Sequence, residues 1–295
     1  LPIRPEQQAV FFTLFLGMYL TTVLGNLLIM LLIQLDSHLH TPMYFFLSQL
    51  SLMDLMLVCT NVPKMAANFL SGRKSISFVG CGIQIGLFVC LVGSEGLLLG
   101  LMAYDRYVAI CHPLQYTILM NPKLCVFMTV ASWTLGSLDG IIVLAAVLSF
   151  SYCSSLEIHH FFCDVAALLP LSCTETSAFE RLLVICCVVM LIFPVSVIIL
   201  SYSHVLRAVI HMGSGESRRK AFTTCSSHLS VVGLYYGAAM FMYMRPASKH
   251  TPDQDKMVSA FYTILTPMLN PLIYSLRNKE VFRALQKVLK KRKLI

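Results

Sequence analysis

The sequence predicts an all-α membrane protein: a bundle of seven transmembrane helices followed by a short amphipathic helix on the cytoplasmic side. Of 295 residues, 57% are hydrophobic and only 12% are charged, whereas an average soluble domain carries about 25% charged residues. The apolar residues are grouped in long runs, and a membrane-spanning helix needs about 20 of them. Too few polar residues remain to cover a soluble globule. A cytosolic enzyme, a disordered chain and a nucleic-acid binder are excluded despite the net charge of +8.

Seven apolar runs with few charges are predicted to cross the membrane, all within one receptor domain, 1–295. Their approximate extents are 9–33, 42–65, 81–111, 124–149, 180–206, 221–244 and 257–276. Pro267 and Pro271 interrupt the seventh run. Prolines at this depth are tolerated where neighbouring helices or water satisfy the freed backbone groups, so this run is retained as a span.

The residues after the last span, 278–292, carry a separate pattern. Val281, Phe282 and Leu285 fall on one helical face, and lysines and arginines occupy most of the remainder. This predicts an amphipathic helix that lies on the anionic inner leaflet and contacts membrane lipids. A disordered basic tail is the alternative.

Lysine, arginine and cysteine positions predict the orientation. An amino terminus outside places 14 of the 22 Lys and Arg residues on the inner side, as the positive-inside rule requires. The same orientation places four cysteines outside the cell: Cys81, Cys153, Cys163 and Cys173. An even number of thiols in an oxidising compartment indicates two disulfides, and three pairings are open.

Two acidic residues lie inside predicted spans, where ionisable groups are costly and therefore suggest function. Asp54 and Glu95 are each about 16–20 Å from the inner end of their helix at 1.5 Å per residue. Two carboxylates at one level cannot both ionise cheaply unless they share a proton or a cation, so a sodium ion or a bound water between them is one hypothesis. The alternative is that each satisfies polar neighbours such as Asn26 or Asn270.

Motifs for catalysis are missing from the sequence, and no catalytic residue is predicted. There is no HExxH, GxxxxGK[ST], paired CxxC or GxSxG string. Two histidine pairs, at 38 and 40 and at 159 and 160, lack companions at metal-ligand spacing.

A short polar motif, Asp105-Arg106-Tyr107, ends the third span. An arginine beside an acid at a helix end can form an ion pair that opening of the bundle breaks. The alternative is an interfacial anchor.

Three features together resemble the rhodopsin-like G-protein-coupled receptors. They are the seven spans, the Asp-Arg-Tyr that ends span three, and the Asn-Pro-x-x-Tyr in span seven, here 270–274. Five longer strings narrow the match. They are LHTPMYFFLSQLSLMDL at 39–55, MAYDRYVAICHPLQY at 102–116, SYSHV at 201–205, KAFTTCSSH at 220–228 and PMLNPLIYSLRNKEV at 267–281. The strings run over nearly the whole chain and are similar to those of olfactory receptors, specifically the tetrapod class II branch.

The resemblance implies a function and a set of partners. The bundle would bind a small volatile odorant and activate a stimulatory, olfactory-type G protein, which raises cyclic AMP. The receptor would reside in the plasma membrane of sensory cilia. Residues implied in G-protein coupling and activation are Asp105, Arg106, Tyr107, Tyr202, Lys220, His228, Asn270, Pro271 and Tyr274.

The resemblance also implies the disulfide pairing and a ligand site. The pairs would be Cys81–Cys163 and Cys153–Cys173. The wall of the ligand site would contain Phe88, Val89, Val92, Cys186, Met190, Tyr236, Met240, Tyr243 and Thr263. Because 81–93 contains no acid, a cationic ligand would lose its hydration without compensation. The expected ligand is therefore neutral and mostly apolar, and Tyr243 would orient it.

One departure from the family pattern concerns span six. Most rhodopsin-like receptors carry a Trp near its middle, whereas the only Trp here is Trp133 in span four. Tyr236 would take the switch position at the pocket floor.

Two other functions are alternatives. A rhodopsin-like receptor for a peptide or lipid would not be expected to carry the SYSHV and KAFTTCSSH strings. A transporter or channel would need a polar path or an internal repeat, and the sequence offers only Asp54 and Glu95 for such a path.

Overall fold

The computed structural model describes residues 5–72, 75–153, 157–158, 160, 162–243, 259, 261–277 and 279–292. This part of the chain is helical: it contains no β-strand, and one antiparallel bridge pairs Tyr152 with Ser172. Its long helices, labelled α1 to α8 in chain order, are Pro5–Leu35, Pro42–Ser71, Phe78–Cys111, Pro122–Ser149, Ser177–Ile210, Gly215–Tyr243, Thr266–Arg277 and Lys279–Arg292. A π-helical segment, Phe261–Leu265, directly precedes α7.

Local sequence signals set several helix ends. Gly72 follows α2 with a φ of 66°, a left-handed conformation that favours glycine. Ser77 accepts a hydrogen bond from the Gly80 amide at 3.1 Å and caps α3. At α4, the Asn121 side chain accepts from the Leu124 amide at 2.9 Å, and Pro122 occupies the first turn. These signals set the end of α2 and the starts of α3 and α4.

Five helices, α1 to α5, are long and apolar enough to cross a membrane, judged over the residues described. The helices extend beyond the apolar runs at several ends. For example, α5 covers Ser177–Ile210, whereas the fifth predicted span covers 180–206. Backbone hydrogen bonding continues into the interfacial region after hydrophobicity has fallen. Of the seventh run, residues 257, 258 and 260 lie outside the described part, as does 278 before α8.

Helix α3 occupies the centre of the bundle and packs against α2, α4, α5 and α6. Its contact with α4 is close because α4 presents glycines. A side chain at Gly136 would collide with Ser94, and one at Gly140 would collide with the Gly86 backbone. Small residues at such positions let membrane helices approach each other. This contact fixes the side of α3 that faces α4.

Helix α8 is held against the loop between α1 and α2. Lys287 Nζ lies 3.0 Å from Asp36 Oδ2, and the Tyr44 hydroxyl donates to Glu280 Oε2 at 2.9 Å. Val281 and Ala284 are buried, while Phe282 is exposed. The two polar contacts and the buried face therefore place α8 beside the carboxyl-terminal end of α1 and the amino-terminal end of α2.

The Asp36–Lys287 contact predicts a small, salt-sensitive effect. The Lys287 ammonium, and then the His38 amide, lower the pKa of Asp36 to about 2, from an ordinary value of about 3.9. The contact stabilises the fold above pH of about 4 and is lost as pH falls towards 2. We expect Lys287→Gln to lower the melting temperature slightly at pH 7 and low salt. At about 1 M salt, where the Debye length is about 3 Å, the difference should vanish.

The matched control for this variant is Lys290→Gln, which removes an equal charge from an exposed position of the same helix. Equal effects of the two substitutions would mean that general charge loss, rather than the contact with Asp36, sets the melting temperature.

Candidate functional site

The carboxyl-terminal end of α3 holds an ion pair between adjacent residues. Arg106 donates from Nη2 and Nε to Asp105 Oδ2 at 2.5 and 3.0 Å. The Tyr116 hydroxyl donates to the other oxygen, Oδ1, at 2.7 Å. Asp105 is fully buried, and the Arg106 side chain is 14% exposed. The guanidinium is therefore held along its own helix, with both carboxylate oxygens occupied.

A second contact joins α5 and α6 near the same end. The Tyr202 hydroxyl and His228 Nδ1 lie 2.6 Å apart in a hydrogen bond, and the two rings stack at 5.7 Å. His228 is completely buried. Tyr202 is thus engaged with α6, while Arg106 is engaged with Asp105. Tyr107 contacts His112 through a 3.0 Å hydrogen bond. The Lys220 side chain lies outside the described part.

The acidic pair of the membrane interior meets α7. Asn270 Nδ2 donates to Asp54 Oδ2 at 3.0 Å and lies 3.3 Å from Oδ1. Asp54, Glu95 and Asn270 are all buried. The Asn270 amide therefore occupies Asp54, and a cation shared by the two acids stays a prediction.

Three buried polar atoms in this cluster have no hydrogen-bond partner among the described residues: Glu95 Oε1, Asn270 Oδ1 and the Tyr274 hydroxyl. Asn26 does not contact the acids: its amide donates to the Thr22 and Pro267 carbonyls at 3.0 and 3.2 Å. In the described residues no group of three or more His, Cys, Asp or Glu side chains could hold a metal ion. A cation here would depend on Asp54, Glu95 and neutral oxygens.

The predicted ligand wall is only partly brought together. Phe88, Val92 and Tyr236 pack in one large cluster at the bundle centre, and the Met190 methyl reaches Gly93 of α3. The Tyr236 hydroxyl donates to the Gly96 carbonyl at 2.8 Å, which places its ring against α3.

The remaining wall residues lie elsewhere. Val89 packs in a separate cluster near the Cys81–Cys163 disulfide, and Met240 is exposed on the bundle surface. Thr263 lines a different cavity, between α1, α2 and the start of α7. The Tyr243 side chain lies outside the described part.

Sequence reasoning missed Asp139, an acid inside the α4 apolar run. It lies beside Cys186 of α5, a predicted wall residue. Its Oδ1 is buried and unpartnered among the described residues. The rule that identified Asp54 and Glu95 applies equally to Asp139 and would have found it. Tyr116 and Tyr235 carried no comparable signal; Tyr235 donates to the Val92 carbonyl at 2.5 Å.

Two disulfides fix the segment between α4 and α5. Cys81–Cys163 has a Cα–Cα distance of 5.4 Å, and Cys153–Cys173 one of 5.7 Å, so the prediction of disulfide bonds is confirmed. Gln84 Oε1 accepts from the Cys163 amide at 2.9 Å, which ties the segment to α3. The neighbouring Phe162 ring lies 5.8 Å from Phe88 and so covers the bundle near the predicted wall.

Comparisons with known proteins identify the family. A family model described as olfactory receptor matches residues 15–292. Olfactory receptor 2M4 of Homo sapiens is 86% identical over 284 residues, 96% of this chain and 91% of that protein. Olfactory receptor 2M2 of Homo sapiens is 67% identical over 282 residues, covering 96% and 81%. Olfactory receptor 2V1 of Mus musculus is 62% identical over 284 residues, covering 96% and 90%. The chain therefore belongs to the olfactory receptor family: it is an all-α, seven-transmembrane odorant receptor and not an enzyme.

Proposed function

We propose that this receptor binds a small neutral volatile in the outer half of the bundle and activates a stimulatory, olfactory-type G protein, which raises cyclic AMP. The observation that carries the coupling is the Arg106–Asp105 pair. A guanidinium held by its neighbour can be released when the helices separate. Once released, it can meet the G protein together with Tyr202, which is now bonded to His228.

The neutral ligand is supported by the chemistry of α3. The segment from Cys81 to Gly93 contains no acid, and Phe88 and Val92 contribute apolar surface. An ammonium group would lose its hydration there without a counter-charge. Burial of a small apolar molecule yields a modest free energy, so affinities at about the micromolar level or weaker are expected.

The proposed location is the plasma membrane of sensory cilia, with the amino terminus outside. The disulfides support this orientation because they need an oxidising compartment. The basic residues of α8 also support this orientation, because the anionic lipids of the inner leaflet would attract them.

The function is tested with cyclic AMP in cells that express the receptor, with and without the olfactory G protein, across a panel of neutral volatiles. We expect a dose-dependent rise that requires the G protein. A rise driven by peptides or charged amines instead, or a ligand-gated current without the G protein, would contradict the proposal.

A sodium ion between Asp54 and Glu95 is a further part of the proposal, supported by the unpartnered Glu95 Oε1. A bound cation stabilises the state that holds both acids together. We expect sodium chloride to raise the melting temperature of the purified receptor above its value in choline chloride at equal ionic strength. Glu95→Gln should abolish the difference. Glu216→Gln, at the exposed start of α6, should retain it. A sodium effect of equal size in Glu95→Gln would remove the ion site.

A further inference from the structure

A buried histidine, His228, forms part of the contact between α5 and α6 at the end of the bundle that holds Arg106. Its Nδ1 shares a 2.6 Å hydrogen bond with the Tyr202 hydroxyl, and the two rings stack. The residue is 0% exposed. Its Nε2 lies near the Leu99 backbone of α3 but has no hydrogen-bond partner among the described residues. The ring is therefore enclosed by α3, α5 and α6 and shielded from solvent.

The groups around this contact do not favour a charged ring. Arg106 of α3 brings a positive charge within electrostatic range of His228. The carboxylate beside it, Asp105, already has one oxygen bonded to Arg106 and the other to Tyr116. The titratable groups linked electrostatically to Tyr202 are Asp105, Arg106, Cys225 and Tyr274. Thiols and phenols are neutral at pH 7, and a buried cation without a counter-charge is costly. The enclosed arrangement therefore suits a neutral imidazole.

Separation of α5 and α6 would change this environment. In the proposed function, Tyr202 leaves His228 to meet the G protein. His228 is seven residues from the start of the predicted span 221–244, about 10 Å at 1.5 Å per residue, so water that enters from that end can reach it. A histidine in water has a pKa of about 6.5 and changes charge near physiological pH.

We propose that His228 makes the receptor sensitive to the pH of the compartment that contains its G protein, with acidification favouring the arrangement in which α5 and α6 have separated. This inference rests on the proposed function and adds the proton as a regulator of the same switch. The sign follows from linkage: the separated state takes up a proton that the enclosed state excludes, so a lower pH stabilises the separated state. With an ordinary histidine in the separated state, its population relative to the enclosed state rises about fourfold between about pH 7.5 and about pH 6.0.

The first experiment measures nucleotide exchange by the purified G protein with the receptor in lipid nanodiscs, without odorant, at the two pH values. Exchange by the G protein alone at each pH is subtracted. We expect the receptor-dependent rate to rise about fourfold at the lower pH. His228→Gln, which cannot take up a proton, should lose this rise whatever its own basal rate. His204→Gln, which removes an exposed histidine of α5, should retain it.

The second experiment detects the separation itself and needs no G protein. Cys225 is buried on α6, three residues before His228, whereas Cys111 at the end of α3 is partly exposed. A water-soluble methanethiosulfonate is applied to the purified receptor, and labelling of the two cysteines is compared by mass spectrometry. Because both thiols share the intrinsic pH dependence of the reaction, their ratio reports access to Cys225. We expect this ratio to rise at the lower pH in the parent receptor and to stay constant in His228→Gln.

The two readouts separate this inference from the proposed coupling. A rise in the labelling ratio that requires His228 supports the pH switch even when nucleotide exchange does not respond, and that outcome would instead contradict the coupling to this G protein. A labelling ratio in the parent that does not change with pH would overturn the inference without the use of any variant. A rise of equal size in His228→Gln, in either assay, would also overturn it.

Discussion

Replacing Cys81 and Cys163 together by Ser is expected to remove most of the receptor from the cell surface. The bond joins positions separated by 82 residues, and both cysteines are buried within a cluster that includes Ile85, Val143 and Phe179. Loss of a disulfide that closes a long loop costs about 2–5 kcal/mol, which is a large fraction of the about 5–15 kcal/mol that stabilises a typical protein.

The second disulfide provides the matched comparison. Cys153 and Cys173 are exposed and separated by 20 residues, so replacing both by Ser should cost less and leave more receptor at the surface. Surface labelling and melting temperature measure the difference. Normal surface labelling after loss of Cys81–Cys163, or an equal loss for the two pairs, would contradict the structural role assigned to the longer link.

Asp105→Asn is expected to raise cyclic AMP in the absence of odorant. The substitution keeps the shape and an acceptor for Tyr116 but removes the charge that holds Arg106. A hydrogen bond to a charged group contributes about 1.5–3 kcal/mol. Its loss from the closed state shifts a two-state equilibrium towards the open state about tenfold or more. The measurement is ligand-independent signal at matched surface expression.

Two variants control for this interpretation. Tyr116→Phe removes only the 2.7 Å hydrogen bond to Asp105, so its basal signal should rise less. Combining Asp105→Asn with Arg106→Ala should abolish the rise because no guanidinium remains to be released. Basal signal at or below the parent level in Asp105→Asn would show that the pair does not restrain the receptor.

The amino-acid sequence predicted those features that depend on composition and depth. Apolar runs indicated the helices, and residue counting predicted that Asp54 and Glu95 share a level; Asn270 of α7 donates to Asp54. Depth follows from 1.5 Å per residue, so it can be read along one helix. Asp139 is also an acid inside an apolar run, so the same rule would have identified it.

Side-chain direction was harder to predict because it depends on how each helix is rotated in the bundle. Thr263 was assigned to the same wall as Phe88 but lines a cavity beside Asn61. Thr263 lies in the π-helical segment Phe261–Leu265, which the hydrophobic pattern did not predict. Gln84 and Tyr116 take their roles from the paths of loops. A linear pattern does not specify those paths.

The most direct test of the account compares the parent receptor with Arg106→Ala at matched surface expression, in cells containing the olfactory G protein. Cyclic AMP is measured across the panel of neutral volatiles. We expect a dose-dependent rise in the parent that disappears in Arg106→Ala, because the guanidinium now bound to Asp105 is the group that must reach the G protein. An undiminished odorant response in Arg106→Ala would contradict it.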